Sequence, residues 1–318
     1  LEPDGEGGMW VGSHRGLDHY DPKIDGFVRH ANRTEPQAGD QQSDFTAILR
    51  DGGGTLWLLS SDKTLYSFDR HSGSFVSYGS GVSHRHRLTY NRVNCLYEDR
   101  SGTVWFGTAG GGLSKLSRGK LKFGMLGNRS AEVNELQNYS VTALAQGPDG
   151  RIWIGTAEDG LARYDTASLK LAWFRYAPGG TGGLSDNRVT SVIAGVRGSV
   201  WIGTEEGGLH SLETASGRMQ RYRYPFDDTV PEGKRRINTL YRDKKDGLWI
   251  GTCAGVSRYD PVKGEFTTYD LAGRISNPGD EFSVTAFFED YSGTVWMGTS
   301  TGSLVRFDPV TRWVDSYV

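Results

Sequence analysis

The chain has 318 residues, a formal net charge of −2 and 45 glycines, about twice the usual share of glycine. The nearly balanced charge gives no basic or acidic field that would indicate binding to nucleic acid or to a membrane surface. No segment approaches the roughly 18 apolar residues of a membrane span. The first residues, LEPDGEGGMW, lack the basic and apolar regions of a signal peptide, so we expect any targeting segment to lie outside this sequence.

Seven of the nine tryptophans recur every 47 or 48 residues along the whole chain. Each lies in the same phrase, as in VWFGT, IWIGT and LWIGT, and a Leu or Val follows seven or eight residues later. The repeated residues are Trp10, Trp57, Trp105, Trp153, Trp201, Trp249 and Trp296, whereas Trp173 and Trp313 fall outside the series. A period of this length indicates that the fold is built from one repeated structural unit.

Each repeat predicts four short strands, in the order shown by residues 140–176. SVTALAQ is the first strand, GPDG a tight turn, RIWIGT the second strand, GLARYD the third and LAWFRY the fourth. No helical period separates them. Four antiparallel strands in about 45 residues are typical of a β-propeller blade. We therefore predict an all-β, seven-bladed β-propeller forming one domain over residues 1–318, with blades at about 1–32, 45–79, 92–124, 140–176, 188–224, 236–270 and 283–318.

The glycine that follows most of the repeated tryptophans predicts a close approach of a neighbouring backbone or ring. The first repeat differs from the others at its start. In complete repeats, the first strand is expected to end nine residues before the tryptophan, as at Leu96 or Leu144, and nine residues before Trp10 is Leu1. The sequence therefore predicts that blade 1 lacks its innermost strand, and that the chain is a fragment of a longer protein.

The repeat phrases resemble the two-component regulator propeller repeat. The segments 90–116 (YNRVNCLYEDRSGTVWFGTAGGGLSKL) and 184–213 carry its Asn-x-Val, Trp-Ile-Gly-Thr and Gly-Gly-Leu elements, and VSRYDPVKGEFTTYD (256–270) carries its Arg-Tyr-Asp-Pro tail. Blade 2, with LWLLSSDKTLYSFD, and blade 3, with LSKLSRG, depart from the pattern. The resemblance implies the periplasmic, ligand-sensing part of a bacterial sensor protein. A transmembrane segment and a histidine kinase or diguanylate cyclase would then follow in the same polypeptide. The resemblance also implies that the protein could form a homodimer.

Long connections between blades, and those between second and third strands, meet at one end of a propeller, where we expect a ligand site. One position just before each first strand recurs there, and three of its six residues are arginine. These residues are Asp44, Arg92, Ser140, Arg188, Arg236 and Ser283. Guanidinium groups suit carboxylate or sulfate recognition. The alternative, and the favoured one, is that these arginines pair with neighbouring carboxylates or lie on the rim.

Residues beside these arginines and in the second-to-third-strand connections complete the predicted ligand site. Asn91, Asn187 and Tyr139 offer amide and ring contacts suited to sugars, with ordinary turn chemistry as the alternative. The connections carry His14-Arg15, Asp62-Lys63, Glu158-Asp159 and Glu205-Glu206. The two acidic pairs could hold Ca²⁺ or act as acid and base, although solvated turn residues are the simpler interpretation, so we predict neither a metal site nor a cofactor.

Other conspicuous residues favour ordinary structural roles. His84-Arg85-His86 has no further ligands in sequence and is interpreted as a surface loop, while Trp173 and Trp313 fall in outermost strands, where packing is the simplest role. Cys95 and Cys253 form no metal or disulfide pattern. The chain contains no phosphate-binding loop, no G-x-S-x-G elbow and no H-E-x-x-H motif.

Three functions remain open from the sequence. The leading hypothesis is a non-enzymatic sensing module for an oligosaccharide or another small polar ligand. The second is a lyase acting on a lactone, because streptogramin lyases carry a similar repeat; His14 and His210 fall near the relevant connections, but no paired constellation is visible. The third is a protein-interaction or dimerisation scaffold.

Overall fold

In the computed structural model, the repeated tryptophan phrase forms the second strand of a four-stranded antiparallel sheet in every repeat. The structure describes residues 1–30, 44–78, 92–117, 122–125, 136, 138–178, 182–222, 236–271 and 282–317. They group into two compact units, residues 1–141 and 142–318. No described residue belongs to a helix long and apolar enough for a membrane span.

Blades 1 to 3 make up most of the unit 1–141. Their strands are β1 (Glu2–Pro3), β2 (Met9–Ser13), β3 (Gly16–Asp21), β4 (Gly26–His30), β5 (Phe45–Arg50), β6 (Leu56–Ser60), β7 (Leu65–Asp69), β8 (Ser74–Ser77), β9 (Val93–Glu98), β10 (Val104–Thr108), β11 (Leu113–Ser117) and β12 (Lys122–Met125). Within each blade, strands that are consecutive in sequence are hydrogen-bonded neighbours.

Blades 4 to 7 follow the same order. Their strands are β13 (Val141–Gln146), β14 (Ile152–Thr156), β15 (Leu161–Asp165), β16 (Lys170–Phe174), β17 (Val189–Ala194), β18 (Ser199–Thr204), β19 (Leu209–Glu213), β20 (Met219–Tyr222), β21 (Ile237–Arg242), β22 (Leu248–Thr252), β23 (Gly255–Asp260), β24 (Glu265–Tyr269), β25 (Val284–Glu289), β26 (Val295–Thr299), β27 (Leu304–Phe307) and β28 (Val314–Tyr317). The predicted all-β, seven-bladed β-propeller is confirmed.

Blade 1 has a short innermost strand, so the prediction that this strand is absent was wrong. In β1, Glu2 pairs with Trp10 and Pro3 with Met9, whereas the complete first strands have six residues. The sequence placed the strand end too early, because first strands continue to seven residues before the tryptophan, as at Glu98 before Trp105. The turn between the first two strands is correspondingly tighter than expected.

An aspartate six residues before the tryptophan anchors this turn in blades 2, 3, 6 and 7. In blade 3, Asp99 accepts hydrogen bonds from the amides of Ser101 and Thr103 at 2.9 and 3.0 Å, and from Trp105 Nε1 at 2.8 Å. The corresponding tryptophan–aspartate distances are 3.0 Å for Trp57–Asp51, 3.0 Å for Trp249–Asp243 and 2.9 Å for Trp296–Asp290. Glycine replaces this aspartate at positions 147 and 195.

The glycine after the tryptophan receives the first strand of the next blade, as the sequence predicted. A Cβ on Gly203 would lie 2.6 Å from Cγ2 of Ile237, and one on Gly155 would lie 2.6 Å from Cγ1 of Val189. A side chain at either position would therefore overlap the neighbouring blade. Glycine is needed here for close packing between sheets.

Polar side chains on the first strands also connect neighbouring blades. Thr142 Oγ1 donates to the Val189 carbonyl at 2.6 Å, and Asn238 Nδ2 donates to the Val284 carbonyl at 3.2 Å and to Ser283 Oγ at 2.9 Å. Asn94 makes the equivalent bond to the Val141 carbonyl at 3.0 Å. The bonds from Thr142 and Asn238 fix the positions of β17 and β25 relative to the first strands of the blades before them, and hence the residues that lead into β17 and β25.

Candidate functional site

The position predicted to recur before each first strand is a structural repeat. Its carbonyl accepts a hydrogen bond from the residue that follows the second strand. The bonds run from Ser61 to Asp44, from Ala109 to Arg92, from Glu205 to Arg188 and from Ser300 to Ser283, at 2.8–2.9 Å. Each bond joins the lead-in to a first strand with the second-to-third-strand connection of the same blade. Side chains from these two segments therefore meet at one end of the blade.

In blades 5 and 6 this end carries a group of five charged residues. Arg188 Nη2 lies 2.6 Å from Glu206 Oε1, Arg188 Nη1 lies 3.9 Å from Glu205 Oε2, and Arg188 Nε lies 3.4 Å from Asp186 Oδ1. The second arginine, Arg236, contacts Glu205 Oε1 through Nη1 at 3.4 Å. We call Asp186, Arg188, Glu205, Glu206 and Arg236 the Arg188 cluster. It brings together three residues of the predicted ligand site: Arg188, Arg236 and Glu205.

Each arginine of the Arg188 cluster faces carboxylates. The hydrogen bond that Arg188 donates to the Glu206 carboxylate and the negative charge of Asp186 raise the pKa of Arg188 above its ordinary value. The side chains remain accessible, with 38% of Arg188 and 50% of Arg236 exposed. Pairing with neighbouring carboxylates, the alternative favoured from sequence, is therefore what the structure has. A ligand at this end of the blade would meet an alternating set of donors and acceptors.

The segment that carries Arg188 is fixed by side-chain bonds to the connection after β18. Asp186 Oδ2 accepts the Glu206 amide at 2.8 Å, and Asp186 Oδ1 accepts the Arg188 amide at 3.0 Å. Ser185 Oγ lies 2.8 Å from Nε2 of the buried His210 on β19. Sequence reasoning missed Ser185 and Asp186. The Ser-Asp pair directly before Asn187-Arg188 is a turn signal that could have drawn attention to them.

Asn187, in the connection from blade 4 to blade 5, has the structural role that was the alternative to ligand binding. Its Oδ1 accepts the Tyr176 amide at 2.7 Å, and its carbonyl accepts the Gly160 amide at 2.9 Å. Glu158 is exposed, and the neighbouring Asp159 contributes its carbonyl to Arg175 Nε at 3.4 Å. The carboxylates of Glu158 and Asp159 have no ion pair within the described part of the chain.

The unit 1–141 holds the other predicted site residues separately. Arg92 is exposed before β9, His14 and Arg15 are exposed in the turn after β2, and the Tyr139 carbonyl accepts the Gly112 amide at 3.2 Å. Asp62 accepts hydrogen bonds from Ser60 Oγ and from the Thr64 amide, which makes it a turn residue. Asn91 and the segment His84-Arg85-His86 lie outside the described residues.

Each of the two extra tryptophans has an arginine guanidinium over its ring. Arg175 lies 4.9 Å from the ring centroid of Trp173, and Arg306 lies 5.6 Å from that of Trp313. Trp313 is 47% exposed.

Burial raises the pKa of the Cys95 thiol to about 12, which favours the unreactive protonated form. Within the ranges that the structure describes, no three His, Cys, Asp or Glu side chains group as metal ligands.

Comparison with known proteins supports the predicted resemblance. A family model described as "Two component regulator propeller" matches residues 87–110 and 135–158. No curated protein matches the chain.

Two solved structures of other proteins have a similar fold. Virginiamycin B lyase from Staphylococcus aureus has a TM-score of 0.67 and 12% identity, over 96% of this chain and 92% of the lyase. The extracellular domain of a putative one-component system from B. thetaiotaomicron has a TM-score of 0.54 and 17% identity, over 100% of this chain and 48% of that one. This chain thus spans about half of that extracellular domain, and at these identities the likeness concerns the fold alone.

Proposed function

We propose that this chain is an extracytoplasmic ligand-sensing propeller of a bacterial signal-transduction protein, and that it acts without catalysis. The observation that carries the proposal is the match to the two-component regulator propeller at residues 87–110 and 135–158. The fold similarity to an extracellular domain of a one-component system points in the same direction. Transmembrane and signalling domains of the same polypeptide are its proposed partners, and the periplasm its proposed location.

We place the ligand at the Arg188 cluster. Among the predicted site residues, Arg188, Arg236 and Glu205 are the ones that the structure joins in a single network, and their side chains are accessible. Guanidinium and carboxylate groups held next to each other can bind adjacent hydroxyl groups as well as acidic groups. A small polar ligand, such as an oligosaccharide, suits this chemistry.

Ligand-induced thermal stabilisation tests the proposal directly. A ligand that binds only the folded state raises the melting temperature, and the rise grows with the logarithm of the ligand concentration once that concentration exceeds Kd. A panel of neutral, acidic and sulfated oligosaccharides should contain at least one compound that stabilises the wild-type chain and does not stabilise Arg188→Ala. Equal stabilisation of the wild-type chain and of the variant by every binding compound would place the site elsewhere.

The second candidate function is lactone cleavage, which the likeness to virginiamycin B lyase favours. The two folds agree over nearly the full length of both chains. Incubation with a streptogramin lactone and Mg²⁺, followed by mass spectrometry of the product, separates the two functions. Ring-opened product formed at a rate proportional to protein concentration would support a lyase and contradict a sensor without catalysis.

A further inference from the structure

A buried histidine lies directly beneath the Arg188 cluster. His210 on β19 is 0% exposed, and its Nε2 lies 2.8 Å from Ser185 Oγ and 3.3 Å from the Ser185 amide nitrogen. Ser185 begins the short segment that carries Asp186 and Arg188. His210 therefore contacts the Arg188 cluster through Ser185, the residue before Asp186 in the chain.

The Ser185 amide fixes the tautomer of His210. An amide N–H can only donate, so Nε2 must present its lone pair, and the single proton of the neutral ring lies on Nδ1. The Ser185 hydroxyl can also donate to Nε2, and the Gly207 carbonyl, 2.9 Å away, is its alternative acceptor.

Close packing transmits the position of Ser185 to Arg188. A Cβ on Gly207 would lie 2.6 Å from Ser185 Oγ and 2.9 Å from the Asp186 Cβ, so the two segments are in direct contact. Asp186 then bonds the amides of Glu206 and Arg188 at 2.8 and 3.0 Å. A displacement of Ser185 must therefore move Asp186 and, with it, the Arg188 guanidinium.

Protonation of His210 would remove this support. A proton on Nε2 turns the acceptor into a donor that faces the Ser185 amide. Two charged groups act on the ring. Arg221 lies opposite His210 on the neighbouring strand β20, and Asp186 lies in the segment that leads into β17. On the other side, the residue opposite His210 on β18 is the apolar Ile202. Burial and the Arg221 charge lower the pKa of His210 to about 4, and the Gly208 carbonyl and Asp186 oppose this only in part.

We propose that His210 is a positioning residue for the Arg188 cluster: its neutral imidazole holds Ser185, and its protonation releases the segment that carries Arg188. Acid would thereby weaken ligand binding at the cluster. This regulation rests on the proposed sensing function, but the coupling between His210 and Arg188 is a property of the protein alone and can be measured without a ligand.

Nuclear magnetic resonance of the wild-type chain and of His210→Gln tests the coupling. At about pH 7, the wild-type imidazole should carry its proton on Nδ1. On acidification, the Ser185 amide and Arg188 Nε signals should shift together with the imidazole, with a midpoint near the pKa of about 4. In His210→Gln, the shift of the Ser185 amide should be absent. The part of the Arg188 Nε shift that has the same midpoint as the imidazole should be absent as well. His14→Gln, at an exposed histidine, should behave like the wild-type chain.

Three results would overturn the proposal. One is a proton on Nε2 at about pH 7. Another is an Arg188 shift in His210→Gln that matches the wild-type chain, because the carboxylates alone would then cause it. The third is loss of the dispersed tryptophan indole signals before the Ser185 transition, which would make the acid response global unfolding. Failure to find any ligand would count against the proposed function and leave these results unaffected.

Discussion

Trp249 Nε1 donates to Asp243 Oδ2 at 3.0 Å, and the same oxygen accepts Arg258 Nε at 2.6 Å. The other carboxylate oxygen accepts the amides of Lys245 and Gly247 at 2.9 and 2.7 Å. One buried aspartate therefore joins the turn after the first strand, the tryptophan of the second strand and the arginine of the third.

Replacing this aspartate should destabilise the chain. Asp243→Ala would leave a buried indole N–H and a guanidinium without their acceptor, at a cost of about 3 kcal/mol in the free energy of unfolding. Urea unfolding followed by tryptophan fluorescence measures this. Asp315→Ala, at an exposed position on β28, is the control and should change the value by less than about 0.5 kcal/mol. Equal effects would show that the Asp243 bonds contribute nothing specific.

The contact between Gly203 and Ile237 gives a second prediction. Gly203→Ala should lower the free energy of unfolding by about 1–3 kcal/mol, because its Cβ would overlap Ile237 in the next blade. Gly298 is the matched control: it follows a repeated tryptophan in the same way, but the nearest atom to its Cβ, that of Ala286, is 3.6 Å away. A smaller loss for Gly203→Ala than for Gly298→Ala would contradict the packing argument.

His210 should make stability depend on pH. Its folded-state pKa of about 4 lies below the ordinary 6.5, so between these values the unfolded chain binds a proton that the folded chain does not. The free energy of unfolding should therefore fall as pH decreases from about 6.5 to about 4, by roughly 3 kcal/mol from this residue, and level off below. His210→Gln should flatten this part of the curve. Denaturant titrations at a series of pH values measure this free energy. If it falls with decreasing pH as steeply in His210→Gln as in the wild-type chain, His210 does not cause the fall.

The arginines of the Arg188 cluster should matter for binding more than for stability. Because their ion pairs are exposed to solvent, Arg188→Ala and Arg236→Ala should change the free energy of unfolding by less than about 1 kcal/mol. Both should abolish the stabilisation caused by an active oligosaccharide. Arg242→Ala, which removes a 43% exposed arginine from the opposite end of β21, should keep it. Strong destabilisation by either cluster variant would make these arginines structural.

Repetition explains how much the sequence could predict. Because Trp153 and Gly155 recur in register, their strand, their burial and the close approach at the glycine were all predictable from spacing. The end of the first strand was not, since Glu98 carries no signal that distinguishes strand from turn. From the sequence, the partners of Arg188 could be proposed only as neighbouring carboxylates, without residue numbers. Ser185 and His210 lie 25 residues apart, and no periodicity relates them.

The repeated tryptophans differ in the hydrogen bonds of their indole N–H groups. Trp57, Trp105, Trp249 and Trp296 donate their indole protons to aspartates, whereas the buried Nε1 atoms of Trp10 and Trp153 have no acceptor among the described residues. In blade 1 the aspartate is present, but Asp4 Oδ2 contacts His19 Nε2 at 2.8 Å. The indole proton resonances should thus fall into two groups, with those of the unbonded pair upfield. In blades 2, 3, 6 and 7 the tryptophan indole proton therefore serves as a spectroscopic probe of the turn that its aspartate anchors.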